Sequence, residues 1–397
     1  MAHIKQMKID HIILGLAAFV LFSEASCQKS KKAPASKPAT YSYTWQQFVM
    51  GADLSYVNAI EDAGGVYKEN NKADDPYLIF SRNGCNTTRV RLWHNPTSWQ
   101  QGLNGGRIYH NLPDVVHTIR RAKQTGMAVN LDLHYSDDWA DPAKQSTPAA
   151  WAALPLSTLA DSVYRYTLHV LDTLQSLGLA PEMIQVGNEN NGGILWPVGK
   201  VENGNYASFA TLLKAGINAV RKFSLTSTIK PQIILHVAQF QNAEAWLAGT
   251  MAQGVTDFDI VGVSHYYKWS TVSSMEAVST AVAKLKTSSG KKVMVVETAF
   301  PFTNNNADGY NNIFYESSAT AAGYPFTVTG QANYVTDLTK AIIQGGGSGI
   351  MVWEPAWITS TLRDRWGTGS SWENNAFFDF GGNLHSGISF YTKKYTF

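Results

Sequence analysis

From residue 41 to the C-terminal end, short β-rich runs alternate with longer stretches of helical periodicity. The runs cover 48–54, 87–93, 128–134, 183–189, 232–237, 258–266, 292–298 and 349–353; the helical stretches include 112–125, 157–178, 205–223, 273–288 and 330–344. Glycine follows several of those stretches, at Gly126 and in the cluster 345–347, because it alone takes the left-handed cap without steric cost. Runs such as VMVVE and the start of MIQVGNE are apolar at successive positions, as strands covered on both faces of a parallel sheet are. Eight strand signals with helices between them predict an α/β fold, a single (β/α)8 TIM barrel with long βα loops. A doubly wound open sheet competes, but no G-x-G-x-x-G or G-x-x-x-x-G-K-[ST] follows any strand. The patterned region of about 355 residues exceeds the roughly 250 of a plain barrel, so the excess falls in loops. The longest, 136–156, 190–204, 299–329 and 354–383, all follow strands, on the face where barrels carry their chemistry.

The first 40 residues break this pattern. Lys5 and Lys8 precede an apolar run of 11 residues, 12–22, that ends in SEASC at 23–27. A basic flank, a short apolar stretch and small residues at its end describe a secretory signal, too short to cross a bilayer. Residues 1–26 are therefore read as a signal peptide, and Cys27 resembles the lipidated cysteine of a bacterial lipoprotein. Residues 27–40 read as a flexible linker and 41–397 as the (β/α)8 domain. The expected location is outside the cell, lipid-anchored at a bacterial envelope. With Cys27 so used, Cys85 has no internal disulfide partner and reads as a small buried hydrophobe.

Composition narrows the partners. Removing the six lysines and two acids of residues 1–40 from totals of 32 and 30 leaves 26 basic and 28 acidic residues in the domain. A near-neutral domain has no electrostatic footprint for nucleic acid and suits an uncharged partner. A 44% hydrophobic and 16% charged composition excludes a disordered chain. No histidines have metalloprotease spacing, no serine sits in a G-x-S-x-G elbow, and no cofactor is expected for catalysis.

The strand ends concentrate polar residues: Asp53, Arg89 and Arg91, Asp132 and His134, Asn188 and Glu189, His236, His265 and Tyr266, Glu297, and Trp353 with Glu354. One strand-end carboxylate is readily explained by an arginine partner. Two, Glu189 and Glu297 on the fourth and seventh strands of one barrel, can face each other across its mouth. Such a pair suits glycoside hydrolysis, in which one carboxyl is protonated and the other ionised. Among 12 tryptophans, Trp93, Trp99, Trp139, Trp196, Trp353 and Trp357 fall at strand ends or in the loops after them, where indole can stack on the C–H faces of sugars.

Seven segments then carry a resemblance: GADLSYV (51–57), TRVRLWHNP (88–96), LDLHYSDDWADP (131–142), VGNEN with ILWP after it (186–197), VGVSHYY (261–267), VVETAFP (295–301) and VWEPAWI (352–358). In this order they resemble the endo-β-1,4-galactanases of glycoside hydrolase family 53, over about 50 to 383. The resemblance implies a retaining mechanism with Glu189 as acid/base and Glu297 as nucleophile. It also implies a substrate-binding set of Asp53, Arg89, Arg91, Trp93, His134, Trp139, Asn188, His236, His265, Tyr266, Trp353, Glu354 and Trp357. Within it, Asn188 binds the sugar 2-hydroxyl, Tyr266 bonds the nucleophile, and Trp353 floors the subsite of the reacting sugar. Relatives differ at two places: many have Tyr-Tyr where this chain has His265-Tyr266, and acidic residues where it has Gln239 after His236. Bacterial members carry an Asp-x-Asp-x-His-x-Asn calcium site after strand seven. Asn306-x-Asp308-x-Tyr310-x-Asn312 keeps that spacing with one carboxylate fewer, so calcium bracing and an asparagine-rich turn without metal both stand as readings.

The expected partner is thus neutral β-1,4-galactan, with no nucleic acid, with the membrane touched only through the lipid anchor, and with a monomeric chain. Two alternatives stay open: another retaining β-glycanase of the same clan, on mannan, xylan or glucan, and a non-catalytic glycan-binding surface lipoprotein.

Overall fold

The structure, a computed structural model, describes residues 41–397. The signal peptide, Cys27 and the linker expected from the sequence lie outside the described residues.

Eight parallel strands close into one barrel, in chain order: β1 (Val49–Asp53), β2 (Thr87–Leu92), β3 (Ala128–Leu133), β4 (Met183–Val186), β5 (Gln232–Ala238), β6 (Ile260–Ser264), β7 (Lys292–Glu297) and β8 (Gly349–Val352). β1 pairs with both β2 and β8, so no sheet edge is left to cap. Each strand predicted from the sequence is present. The fourth is shorter than its apolar run: it stops at Val186, and Gly187 and Glu189 turn out of the sheet with φ of 80° and 45°.

Helices cover the outside where amphipathic stretches predicted them. These are α3 (Leu112–Gln124), α4 (Leu156–Ser176), α5 (Ala207–Ser224), α7 (Met275–Ser289) and α8 (Val328–Gln344). Their starts are chemically marked: Asn111, Ser274 and Thr327 each accept a bond from a first-turn backbone N–H. Two short helices, α1 (Val57–Asp62) and α2 (Pro76–Arg82), and α6 (Phe240–Ala252) complete the ring. The sequence reading did not single out α6, whose stripe of apolar residues is ill-defined. After β8 a 3-10 segment, Ser386–Thr392, takes the place of the helix expected after the last strand, and its Tyr391 hydroxyl donates to the Gly51 carbonyl at 2.8 Å.

Alternation along the strands divides the barrel lumen into two zones. Val49, Met183, Ile234, Ile260, Met294, Val296 and Met351 form an apolar plug at the N-terminal end, with Trp45 against it. The plug closes tightly at Gly51, where a Cβ would stand 2.6 Å from the Met351 Cγ. Above it the same inward positions turn polar: Asp53, Arg89, Arg91, Asp132, Gln185 and His236 are all buried. A packed apolar floor beneath a buried ionic layer fixes the layer's side chains from below.

β7 departs from strict alternation. Met294 and Val296 both face the lumen, so a regular strand would send Glu297 outward among the helices. The register instead shifts: Val263 pairs with Val295 and Ser264 with Glu297, leaving Val296 as an extra residue. This β-bulge turns Glu297 back into the barrel mouth.

Candidate active site

The βα loops enclose a cleft of about 810 Å³ over the polar zone. At its base Arg89 is fully enclosed and meets five groups, the Gln185 amide oxygen accepting from its Nε at 3.4 Å. Its Nη1 donates to Asp53 at 2.7 Å; its Nη2 lies 2.8 Å from each of Asp132, Asn188 and Glu297. Three carboxylates around one guanidinium leave an excess of negative charge. Burial raises the Glu297 carboxyl, Arg89 opposes that rise, and Asp132 and Asp53 add to it. Tyr266 donates its hydroxyl to Glu297 at 3.0 Å, and burial together with that carboxylate keeps the phenol protonated far above its usual range.

Glu189 keeps part of its surface open to the cleft. Among the described residues its one side-chain bond comes from the Ser264 hydroxyl, which donates to Oε1 at 2.7 Å. Burial raises its pKa well above the ordinary carboxylate range, and the nearby Glu297 raises it further. Of this coupled pair Glu297 is the one that ionises first, because it holds an arginine and a phenol where Glu189 holds one hydroxyl. Ser264 and Glu297 are directly paired across β6 and β7, so the anchor of one carboxyl lies a strand spacing of about 4.8 Å from the backbone of the other.

The cleft walls differ in kind. On the β8–β1–β3 side Arg91 lies between the rings of Tyr56 and Trp139, 4.3 and 4.4 Å from their centroids, with its Nη1 2.6 Å from Glu354. Trp353, Trp357 and Trp372 continue that wall. On the β4–β5 side stand amides, Asn191, Gln239, Gln241 and Asn242, with Trp269 from the loop after β6.

The structure brings Arg89, Arg91, His134, Trp139, Asn188, Glu189, Tyr266, Glu297, Trp353 and Trp357 of the expected set onto the cleft surface. Asp53, Trp93, His236, His265 and Glu354 lie behind it. Asp53 and Glu354 clamp the two arginines; Trp93 donates its indole N–H to His134 Nδ1 at 3.2 Å. His265 points away and packs on Phe240, its ring centroid 5.3 Å away, and burial lowers its pKa to about 4. The exchange of Tyr for His at this position is therefore felt behind the cleft. Trp269 and Trp366, 45% and 62% exposed, line the cleft, yet the sequence reading gave neither a role. Their signal was a tryptophan left in a long loop.

Among the loop residues weighed for calcium, Asp308 accepts backbone N–H bonds from Tyr310 and Ser370, and Asn312 donates to Asn306 Oδ1. Tyr310 instead lines the cleft, with its hydroxyl on Asp364 at 2.8 Å. Among the described residues no group of three or more His, Cys, Asp or Glu side chains could hold a metal.

A paired acid and carboxylate in an aromatic cleft is glycosidase chemistry, and the chain's relatives agree. The model of glycosyl hydrolase family 53 matches residues 49–391. The chain belongs to that family. As a family 53 glycoside hydrolase it requires no cofactor for catalysis. It is 42% identical over 335 residues to an arabinogalactan endo-β-1,4-galactanase of Cellvibrio japonicus, covering 84% of this chain and 86% of that protein. Among solved structures, a family 53 catalytic domain from Ignisphaera aggregans superposes with a TM-score of 0.79 at 33% identity, covering 89% of this chain and 98% of that one. A fungal β-1,4-galactanase superposes with a TM-score of 0.73 at 30% identity, covering 89% and 99%.

Proposed function

We propose that this family 53 chain is an endo-β-1,4-galactanase that cleaves neutral β-1,4-galactan, the side chains of pectin and type I arabinogalactan, with retention at the anomeric carbon. The observation that carries the mechanism is the unequal setting of the two glutamates. Glu297, ionised beside Arg89 and Tyr266, attacks the anomeric carbon and forms a glycosyl-enzyme ester. Glu189, held protonated by burial and by its neighbour's charge, donates its proton to the departing glycosidic oxygen. Once Glu297 is esterified its charge is gone, the Glu189 pKa falls, and the carboxylate left by the first step stays ionised to take a proton from water. That water opens the ester and frees Glu297. Asn188, bonded to Arg89 and Ala140, is placed to hold the sugar 2-hydroxyl, and Trp353 to floor the reacting sugar. The chain's likeness to galactanases favours galactan over the mannan, xylan or glucan of other retaining glycanases.

The test is reducing-sugar release from β-1,4-galactan, xylan and mannan by the wild type, Glu189→Ala and Glu297→Ala. Release from galactan by the wild type alone is expected. Release from another glycan would keep the mechanism and change the substrate; binding without release would leave a glycan-binding lipoprotein.

Export through residues 1–26, anchoring at Cys27 through the 27–40 linker and a monomeric 41–397 domain belong to the same reading. Among the described residues no helix is long and apolar enough to cross a membrane. Mass spectrometry of the mature N-terminus tests the anchor. A structural calcium after β7 would draw on Asn306, Asp308 and Asn312, with the Asp308 oxygens shared between the ion and two backbone donors. Melting with and without a chelator tests for the ion.

A further inference from the structure

Behind Glu189 lies a buried chain of neutral hydrogen bonds. The His236 ring, wholly enclosed, has Nε2 2.8 Å from Ser264 Oγ. Its Nδ1 faces the backbone N–H of Glu189 at 3.2 Å, the Gln185 amide nitrogen at 2.9 Å and Asn188 Oδ1 at 3.0 Å. The backbone N–H cannot be anything but a donor, and it has no other partner among the described residues. Nδ1 is therefore the acceptor, and the one proton of the neutral ring sits on Nε2. Asn188 Oδ1 has its own donors, Arg89 and Gln185. The ring stays neutral because burial and the adjacent Arg89 charge hold its pKa well below the usual range.

This tautomer sets the direction of the next bond. Ser264 Oγ accepts from His236 Nε2–H, so its own proton is free for Glu189 Oε1. Among the described residues nothing bonds the second oxygen, Oε2, while the Glu189 side chain lines the cleft. Oε1 is an acceptor by construction, and a transferable proton belongs on Oε2.

Resting on Glu189 as the acid/base, we propose that Ser264, oriented by His236, is a positioning residue that holds Glu189 by Oε1 and reserves Oε2 for the proton given to the glycosidic oxygen. Because Ser264 donates, it also favours the ionised Glu189 needed as a base in the second half of the reaction. Other groups act on Glu189 as well: Glu297 on β7 and Asp141 after β3 raise its pKa, and Arg89 on β2 lowers it; Tyr266 after β6 stands near as a neutral phenol.

The test compares Ser264→Thr with Ser264→Val, which share a shape and differ in the hydroxyl, on the full chain. Thermal melting first establishes that both fold; Ser264→Ala stands in for the valine variant if it does not. Loss of the hydroxyl removes a donor to the carboxylate, so the Glu189 pKa rises and the alkaline limb of kcat/KM on galactan moves up by about one pH unit. We expect kcat to fall by roughly tenfold with KM within about twofold. Ser264→Thr should restore both. An unmoved alkaline limb in a folded Ser264→Val protein overturns the proposal. Glu189→Ala is run beside them on galactan and on a dinitrophenyl β-galactobioside, whose leaving group needs no acid. If it keeps wild-type activity on galactan, the acid/base reading itself fails, whatever the Ser264 variants do.

Discussion

Glu189 and Glu297 are the same residue type at the mouth of the same barrel, and their surroundings separate them. Glu297 is met by a guanidinium at 2.8 Å and a phenol at 3.0 Å, while Glu189 is met by one serine hydroxyl at 2.7 Å. The contrast extends behind them. An ionic layer of Asp53, Asp132 and Arg89 backs the first, and a neutral Ser264–His236 pair backs the second. A carboxyl's role follows from which protonation state its neighbours favour, and two roles in one site require two kinds of neighbour. The arrangement also has a sign: burial first, and then the negative charge of Glu297, keep the second carboxyl protonated.

The most severe way to break the contrast is to remove a carboxyl. Glu297→Ala is expected to cost roughly 10⁴-fold or more in kcat on every substrate. Glu189→Ala should cost about 10²- to 10⁴-fold on galactan, but far less on an activated aryl galactoside, and added azide should recover turnover as a glycosyl azide. Equal losses on both substrates would mean that the roles are not divided as argued.

Arg89→Met removes the charge from the Glu297 setting. It strands Asp53, Asp132 and Glu297 together, so a loss of about 3–5 kcal/mol in stability is expected by denaturant melting. In whatever fraction folds, the Glu297 pKa rises and the acid limb of the pH–rate profile moves up, since activity needs that group ionised. In the wild type the alkaline limb of kcat/KM should lie above the ordinary carboxylate range, because the Glu189 pKa is raised and activity is lost as pH climbs through it. An alkaline limb near pH 4.5 would remove the basis for calling Glu189 the acid.

The aromatic wall gives milder tests. Arg91→Lys keeps a charge for Glu354 but not the planar group between Tyr56 and Trp139, and is expected to raise KM by roughly tenfold with a smaller change in kcat. Trp366→Ala, at the exposed rim, should raise KM on polymer severalfold and leave short substrates unaffected. A chelator is expected to leave the melting temperature unchanged, since among the described residues that loop brings Asp308 no cluster of three acidic, His or Cys side chains.

Much of this site was legible beforehand because barrels put strand ends to use. The polar residue closing each apolar run, the two glutamates and the tryptophan-rich loops are local features, and local features survive in a string of letters. Residues that belong behind the cleft could not be told from those on it. Trp93 and His134 directly follow the neighbouring strands β2 and β3, yet His134 faces the cleft while Trp93 braces it from behind. Ser264 had no signal at all; its meaning depends on His236, 28 residues away, and on Glu189, 75 away.

The residue order alone determined the alternation of strands and helices, the closed barrel it implies, and the carboxyls available at its mouth, because periodicity and burial act over a few neighbouring residues. Where Glu297 points was decided elsewhere. Alternation from Met294 and Val296 would turn it outward; only the shifted register against β6 turns it in beside Arg89. Which glutamate stays protonated was likewise settled by charges and dipoles brought together from β1, β2, β3, β5 and β6. Electrostatics depends on distance in space, and that distance exists only once the barrel has closed.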